Sequence, residues 1–75
     1  MSLLSQNMRY LRSRIGHSQQ KVADALIITR GRYSKYEDAA TEPPIEMLLK
    51  ISKYFGVSID TLVSVDLGKI PVTDK

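Results

Sequence analysis

The beginning of the chain carries apolar residues at helical spacing. The stripe runs at i, i+4, i+7 and i+11 and consists of Leu4, Met8, Leu11 and Ile15. Such spacing places these side chains on one face of an amphipathic helix. Gly16 comes next, and glycine adopts the left-handed backbone of a helix end with little strain. The pattern predicts a first helix over residues 4 to 15.

Two short helices with a tight turn between them are predicted next. Ser18 and Thr29 each offer a hydroxyl that can cap a helix start, so the helices span residues 18 to 26 and 29 to 38. The apolar stripe of the first of these consists of Val22, Ala23 and Leu26. A short helix, a turn and a second short helix form an arrangement that can hold one helix against DNA.

The second of these short helices has two different faces. At about 100° per residue, its inner face holds Tyr33, Tyr36 and Glu37. The opposite face holds Gly31, Ser34 and Lys35, flanked by Arg30 and Arg32. A cationic face with small residues suits entry into a groove of DNA. Stacking of bases on the tyrosines is an alternative, but their helical spacing favours packing in the core.

Two further helices complete the pattern. Pro43 and Pro44 suit a helix start, and the next helix reaches residue 55 before Gly56 ends it. Its predicted inner face consists of Ile45, Leu48, Leu49, Ile51, Ser52 and Phe55. Ser58 caps a short fifth helix, whose inward residues are Ile59, Leu62 and Val63. The chain is therefore predicted to be all-α, with five helices in one compact unit.

The domain organisation follows from where the pattern fades. We predict a folded domain over residues 1–65 and a tail or linker over residues 66–75. In a longer native chain, this segment would lead to an additional C-terminal domain.

Composition narrows the class of protein. A chain of 75 residues makes one small domain, and without cysteine it has neither disulfides nor thiolate metal sites. No apolar run is long enough for a membrane span or a signal-peptide core, so we expect a cytoplasmic protein with no membrane partner. With one histidine and scattered acids, the sequence shows no nucleophile and base pair. We therefore expect no catalytic activity, no metal and no cofactor.

The charges are distributed unevenly along the chain. Residues 1 to 36 hold seven bases and one acid, giving +6, whereas residues 37 to 75 hold four bases and seven acids, giving −3. The sum is the net charge of +3. The positive half contains the two short helices, which favours a negatively charged partner on that side over a merely solvated surface.

The same residues resemble a known family. Across residues 8 to 63, about three quarters of the chain, the sequence is similar to the phage-repressor and Cro type of helix-turn-helix domain, the Xre family. The matching positions are Leu11-Arg12, Gly16, Ser18-Gln19, Val22-Ala23, Leu26, Ile28-Thr29-Arg30, Ser34-Lys35-Tyr36-Glu37, Glu42-Pro43 and the run from Leu48-Leu49-Lys50-Ile51 through Phe55-Gly56-Val57-Ser58. In that family a five-helix fold dimerises and its third helix enters the major groove of an operator.

The resemblance assigns expected roles to individual residues. The base-contacting positions that it implies are Thr29, Arg30, Gly31, Ser34 and Lys35. Arg30 is the main candidate for readout, because a guanidinium can bond both O6 and N7 of guanine. The implied phosphate contacts are Ser18, Gln19, Lys21 and Arg32, and these anchor the protein without reading sequence. Gln19 is also expected to brace the third helix, and Arg12 and Glu37 to form a buried structural ion pair.

Four positions depart from the family pattern. Ile27 replaces the glycine of the turn, and because a β-branched residue is strained in the left-handed conformation, we predict a locally altered turn with the fold retained. His17 stands where the family usually buries leucine, and we expect packing or partial exposure. Gly31 either lets the helix backbone approach DNA closely or leaves one base unread. Ala39 replaces a glycine at the end of the third helix.

Two classes of function follow. The first is a sequence-specific, double-stranded DNA-binding transcriptional regulator, a repressor that occupies an operator as a homodimer. The second is a protein-interaction module, such as the antitoxin of a toxin-antitoxin pair or a coactivator bridge. The two-helix pattern and the uneven charge favour the first class.

Overall fold

The computed structural model describes residues 2–69. It contains α1 (Leu3–Arg14), α2 (Gln19–Leu26), α3 (Arg30–Glu37), α4 (Ile45–Phe55) and α5 (Ile59–Ser64), followed by a short 3-10 helix, Leu67–Lys69. No strand occurs within residues 2–69. The prediction of an all-α unit with five helices is therefore confirmed. At most helix ends, the predicted and observed boundaries differ by one residue.

The predicted helix caps are present. The hydroxyls of Ser18, Thr29 and Ser58 accept hydrogen bonds from the backbone N–H groups of the third residues of α2, α3 and α5. Each bond satisfies a donor that the helix itself leaves unpaired. Pro44 precedes α4, where its missing N–H leaves no intrahelical bond unmade.

The ends of α1, α2, α3 and α4 share one hydrogen-bonding pattern. At Gly16, Ile27, Ala39 and Gly56 the backbone φ lies between 59° and 71°, in the left-handed region. After α2, the N–H of Ile28 bonds the carbonyl of Ala23 at 3.0 Å, the long bond of a Schellman motif. Equivalent bonds close the other three ends.

The predicted alteration of the turn at Ile27 is wrong. Ile27 has φ 61° and ψ 46°, so the backbone keeps the conformation that glycine would adopt. Its side chain is 84% exposed, while the following Ile28 packs against the core. The turn must reverse the chain at this point so that Ile28 can be buried, and the hydrogen bonds of the motif hold Ile27 in spite of its steric strain.

The core lies where α1, α2, α3, α4 and α5 meet. Its buried apolar side chains are Met8, Val22, Ala23, Leu26, Tyr33, Tyr36, Met47, Ile51 and Leu62. The predicted inner face of α4 needs correction, because Ile45 and Leu49 are 64% and 46% exposed. This helix carries apolar residues on two stripes. Met47 and Ile51, four residues apart, form the buried stripe, and Ile45 and Leu49 form the other.

Two other predicted core residues are also exposed. Ile15 is 48% exposed because α1 ends at Arg14, so Ile15 has left the helical face. Val63 is 42% exposed, since only Leu62 of α5 points fully into the core. In α1, the polar Asn7 is buried instead.

Asn7 connects α1 to the segment after α5. Its side-chain nitrogen donates to the carbonyls of Leu62 and Val65 at 2.7 and 2.6 Å, and its side-chain oxygen accepts from the N–H of Leu67 at 3.1 Å. The segment predicted as a tail or linker therefore begins with a turn that is held against α1. Residues 70–75 lie outside the described part, and the domain boundary at residue 65 stays a prediction.

Candidate nucleic-acid interface

The residues between α2 and α3 fix how α3 stands on the body of the protein. Only three residues, 27–29, separate these helices. Leu26 is buried at the end of α2, and Ile28 packs against the core just before α3 begins. Because both ends of the turn are anchored by apolar contacts, α3 has one defined orientation relative to α2.

The inner face of α3 is the predicted one. Tyr33, Tyr36 and Glu37 are 0%, 3% and 0% exposed. The tyrosines belong to the core, which rules out their rings as stacking platforms in this conformation. The hydroxyl of Tyr33 donates to the Glu37 carboxylate at 2.6 Å, one helical turn away.

Glu37 is the centre of a buried polar cluster. Nε of Arg12 donates to one carboxylate oxygen at 2.6 Å, and Nη2 donates to the other at 3.1 Å. The side-chain amide of Gln19 donates to the same carboxylate at 3.0 Å. We call Arg12, Gln19, Tyr33 and Glu37 the Glu37 cluster. It contains the ion pair that the resemblance implies, and it ties α1 and the start of α2 to the end of α3.

The pKa values in the Glu37 cluster reflect its hydrogen bonds. Burial acts to raise the pKa of Glu37, but the bonds from Arg12, Tyr33 and Gln19 together outweigh it and hold this pKa below its ordinary value. Burial and the bond to Glu37 raise the pKa of the Tyr33 hydroxyl. The bond to Glu37 raises the pKa of Arg12. Glu37 is therefore ionised and Tyr33 is protonated at neutral pH.

The outer face of α3 is open to solvent. Arg30, Gly31 and Lys35 are exposed, and Ser34 is half-buried with its hydroxyl donating to the carbonyl of Gly31 at 3.2 Å. A Cβ atom added at Gly31 would meet no atom within 4 Å. Thr29 is exposed as well and caps the helix. Of the five predicted base-contacting residues, Thr29 thus caps α3 and the other four lie in the first two turns of this accessible helix.

The predicted phosphate-contacting residues are in two places. Ser18, Gln19 and Lys21 lie at the start of α2, where Ser18 and Lys21 are exposed and Gln19 is half-buried. The start of a helix attracts anions, because its N–H groups are unpaired and its dipole is positive there. Arg32 lies on α3 instead, and its Nε donates to the hydroxyl of Tyr36 at 2.9 Å.

Sequence reasoning missed several contacts around the site. Nη2 of Arg9 lies 3.0 Å from the carboxylate of Asp38, at the end of α3. The ring nitrogen Nδ1 of His17 lies 2.5 Å from the hydroxyl of Tyr54, which agrees with the expected partial packing of His17. The i, i+4 spacing of Tyr33 and Glu37 could have suggested their bond. The contact of Arg9 with Asp38 joins residues 29 positions apart, and that of His17 with Tyr54 joins residues 37 positions apart. Neither pair gave a local signal in the sequence.

A shallow groove runs beside the outer face of α3. On the helix it is lined by Thr29, Gly31, Arg32, Lys35 and Tyr36, and on the loop after α3 it is lined by Thr41, Glu42 and Pro44. The basic residues Arg32 and Lys35 line this groove on the helix side, and the acidic Glu42 lines it on the loop side.

The described residues contain neither a metal-ion cluster nor a membrane-spanning helix. Within residues 2–69, no three His, Cys, Asp or Glu side chains are grouped so that they could hold a metal ion. None of the helices in that range is both long and apolar enough to cross a bilayer.

Known proteins share this two-helix arrangement. The sequence profile of the helix-turn-helix family matches residues 8–62, which include α2, α3 and the Glu37 cluster. The chain belongs to this family. Its relatives include the SPbeta prophage-derived HTH-type transcriptional regulator YonR of Bacillus subtilis, 41% identical over 61 residues, or 81% of this chain and 56% of that protein.

A phage repressor is also among the relatives of this helix-turn-helix chain. The cryptic phage CTXphi transcriptional repressor RstR of Vibrio cholerae is 32% identical over 62 residues, which are 83% of this chain and 56% of RstR. The chain spans about half the length of these curated relatives.

Solved structures share the fold. The P22 c2 repressor in complex with a synthetic operator superposes with a TM-score of 0.79 and 26% identity, over 85% of this chain and 97% of that one. The solution structure of the DNA-binding domain of the same repressor gives a TM-score of 0.80 and 27% identity, over 95% and 90% of the two chains. The predicted likeness to phage repressors is therefore confirmed.

Proposed function

We propose that this helix-turn-helix chain is a sequence-specific regulator of transcription, a repressor that places α3 in the major groove of an operator. The observation that carries this proposal is the division of α3 into a buried anchored face and an exposed cationic face. Relatives named as transcriptional regulators and a similar repressor in complex with operator DNA support it. Neither a catalytic group nor a cofactor has a part in this function.

The proposed contacts fall into two groups. The base-contacting group consists of Thr29, Arg30, Gly31, Ser34 and Lys35. The phosphate-contacting group consists of Ser18, Gln19, Lys21 and Arg32. The first group reads sequence through hydrogen bonds to base edges, and the second fixes the position of α3 in the groove. One side-chain amide hydrogen of Gln19 is donated to Glu37, and the second is available to donate to a phosphate oxygen.

The protein binds its operator as a homodimer in this proposal. Two copies would set their α3 helices about 34 Å apart, one turn of DNA, and would require an inverted-repeat site. Insertion of about five base pairs between the half-sites turns one of them to the opposite side of the duplex. We expect this insertion to reduce affinity to that of a single half-site, measured by fluorescence anisotropy. Because the partner is DNA, the protein acts in the cytoplasm.

Selection of bound sequences from a random duplex pool tests the proposed function. We expect enrichment of one inverted repeat. With about four phosphate contacts in each half-site, log affinity should fall with log salt at a slope of about −0.9 per contact. Failure to enrich any sequence contradicts the proposal and leaves the interpretation as an antitoxin or other protein-interaction module, for which co-purification with a partner protein is the direct test.

A further inference from the structure

The contact between Arg32 and Tyr36 goes beyond the assigned roles. Tyr36 is 3% exposed, yet its hydroxyl reaches the groove beside α3 and accepts the Nε–H of Arg32 at 2.9 Å. Arg32 itself is exposed. The bond therefore links a ring fixed in the core to a cationic side chain at the surface.

This contact determines which part of the guanidinium is available. Arginine offers two pairs of parallel N–H donors, one that includes Nε and one formed by Nη1 and Nη2. Because Tyr36 occupies Nε, only the pair formed by Nη1 and Nη2 can make a bidentate contact. Within residues 2–69 these two nitrogens form no hydrogen bond or ion pair, so they are free for an external acceptor.

The position of Arg32 favours a phosphate as that acceptor. Arg32 precedes the buried Tyr33 by one residue, so it lies on the flank of α3 and not at the centre of the outer face, where Gly31 and Lys35 lie. A side chain on the flank of a helix in the major groove faces the wall of the groove, and that wall is the phosphate backbone.

We infer that Tyr36 is a positioning residue, which holds the guanidinium of Arg32 so that Nη1 and Nη2 bind one DNA phosphate together. The inference rests on the proposed function. Its physical basis is preorganisation. A free arginine side chain loses rotamer freedom when it binds, and a side chain that is already held by a buried hydroxyl loses less.

A double-mutant cycle tests this role of Tyr36. Tyr36→Phe keeps the buried ring and removes only the hydroxyl. We expect it to weaken binding to the selected duplex about 2- to 10-fold, the range for one immobilised side chain. In an Arg32→Ala background, the same change should alter affinity less than about 2-fold, because no guanidinium is left to position. In an Arg32→Lys background, Tyr36→Phe should likewise alter affinity less than about 2-fold, since lysine lacks the planar donor pairs.

The chain supplies a matched control on α1. Nη1 of Arg14 donates to the hydroxyl of Tyr10 at 3.0 Å, with the same four-residue spacing. Tyr10→Phe therefore removes another arginine–tyrosine bond, one that lies away from α3, and we expect unchanged affinity. Thermal unfolding of each free variant, with affinities measured well below the lowest midpoint, separates binding from stability.

Distinct results overturn the inference and the proposed function. If wild-type protein binds the selected duplex and Tyr36→Phe binds it equally well, only the inference is wrong. An effect of Tyr36→Phe that persists with Arg32→Ala shows that Tyr36 acts by itself. Altered preference at one base pair in Arg32→Ala overturns the phosphate assignment. If the wild-type protein selects no duplex, both proposals fail.

Discussion

The two faces of α3 differ in whether their side chains have hydrogen-bond partners within the protein. On the inner face, Glu37 is fully buried and its carboxylate receives hydrogen bonds from Arg12, Gln19 and Tyr33. On the outer face and its flank, the side chains of Lys35 and Arg30 make no hydrogen bond with any residue in the range 2–69.

The difference indicates that the inner face of α3 serves folding and that the outer face does not. The inner face holds α3 in place, so its residues should matter for stability. The outer face contributes little to folding, and its Gly31 even weakens the helix without relieving any contact. Residues of that kind are explained by a surface outside the molecule, and changes there should alter binding and leave stability nearly unchanged.

The largest expected effect is on the inner face. Glu37→Gln leaves Arg12, whose side chain is only 18% exposed, without its counter-charge. We expect the free energy of unfolding to fall by up to about 3–5 kcal/mol, the loss for a fully buried pair, as measured by urea denaturation. Asp38→Asn is the matched control, because its ion pair with Arg9 is exposed and contributes at most about 1 kcal/mol. Equal losses in both variants contradict the structural role of the cluster.

Acid should weaken the same cluster. The pKa of Glu37 is lower in the folded protein than in the unfolded chain, where it is about 4.3. The contribution of this group to stability is therefore fully present above the unfolded value and is lost as pH falls through the lower folded value. Urea denaturation between pH 7 and pH 3 should show the stability of wild type approaching that of Glu37→Gln. Parallel pH profiles of the two proteins argue against the lowered pKa.

Among the exposed basic residues, Arg30 of α3 and Lys21 of α2 are expected to respond differently. Arg30→Ala should remove about 1–3 kcal/mol of preference at one guanine in each half-site. Lys21→Ala should weaken binding to all sequences alike and reduce the salt slope by about 1. Repeated selection and salt titration of both variants measure these changes. Identical behaviour of the two variants shows that the division into reading and anchoring residues is wrong.

The turn that connects the two anchored helices allows a smaller test. Ile27 adopts a left-handed conformation with its side chain exposed, so Ile27→Gly removes steric strain without loss of burial. We expect a gain of about 1 kcal/mol in the free energy of unfolding. Gly56→Ala, at a matching helix end with φ 71°, should give a loss of similar size. A destabilised Ile27→Gly shows that this turn has another source of stability.

The smallest expected change in stability is at Gly31. Gly31→Ala adds a Cβ that meets no atom within 4 Å, so the helix should gain about 0.5–1 kcal/mol. If the backbone of α3 approaches DNA closely at this point, the same change should lower affinity for the selected duplex. Thermal unfolding and fluorescence anisotropy on one preparation measure both effects. Unchanged affinity favours the alternative, in which the base opposite Gly31 is not read.

Much of the fold could be predicted because its signals are local. The hydroxyl caps at Ser18, Thr29 and Ser58 and the spacing of the tyrosines on α3 depend only on residues within one or two turns. For the candidate site, the same spacing separated the inner from the outer face of α3. The roles of individual residues in DNA contact remain predictions from the family resemblance.

The parts that could not be predicted depend on competition between distant segments. α4 carries two apolar stripes, and only its packing against the other helices decided that Met47 is buried and Leu49 exposed. The buried Asn7 bonds to residues 55 to 60 positions away, which no local pattern indicates.

The sequence by itself determined where helices begin and end and which side of α3 faces inward, because backbone capping and helical periodicity act over a few residues. Only the tertiary structure decided the left-handed conformation of Ile27, the bond that Gln19 makes to Glu37, and the bonds that Asn7 makes to the end of α5 and to Leu67. These depend on which groups are brought together when the core closes. The free energy of burying Ile28 and of satisfying a buried carboxylate then outweighs the local preferences of the chain.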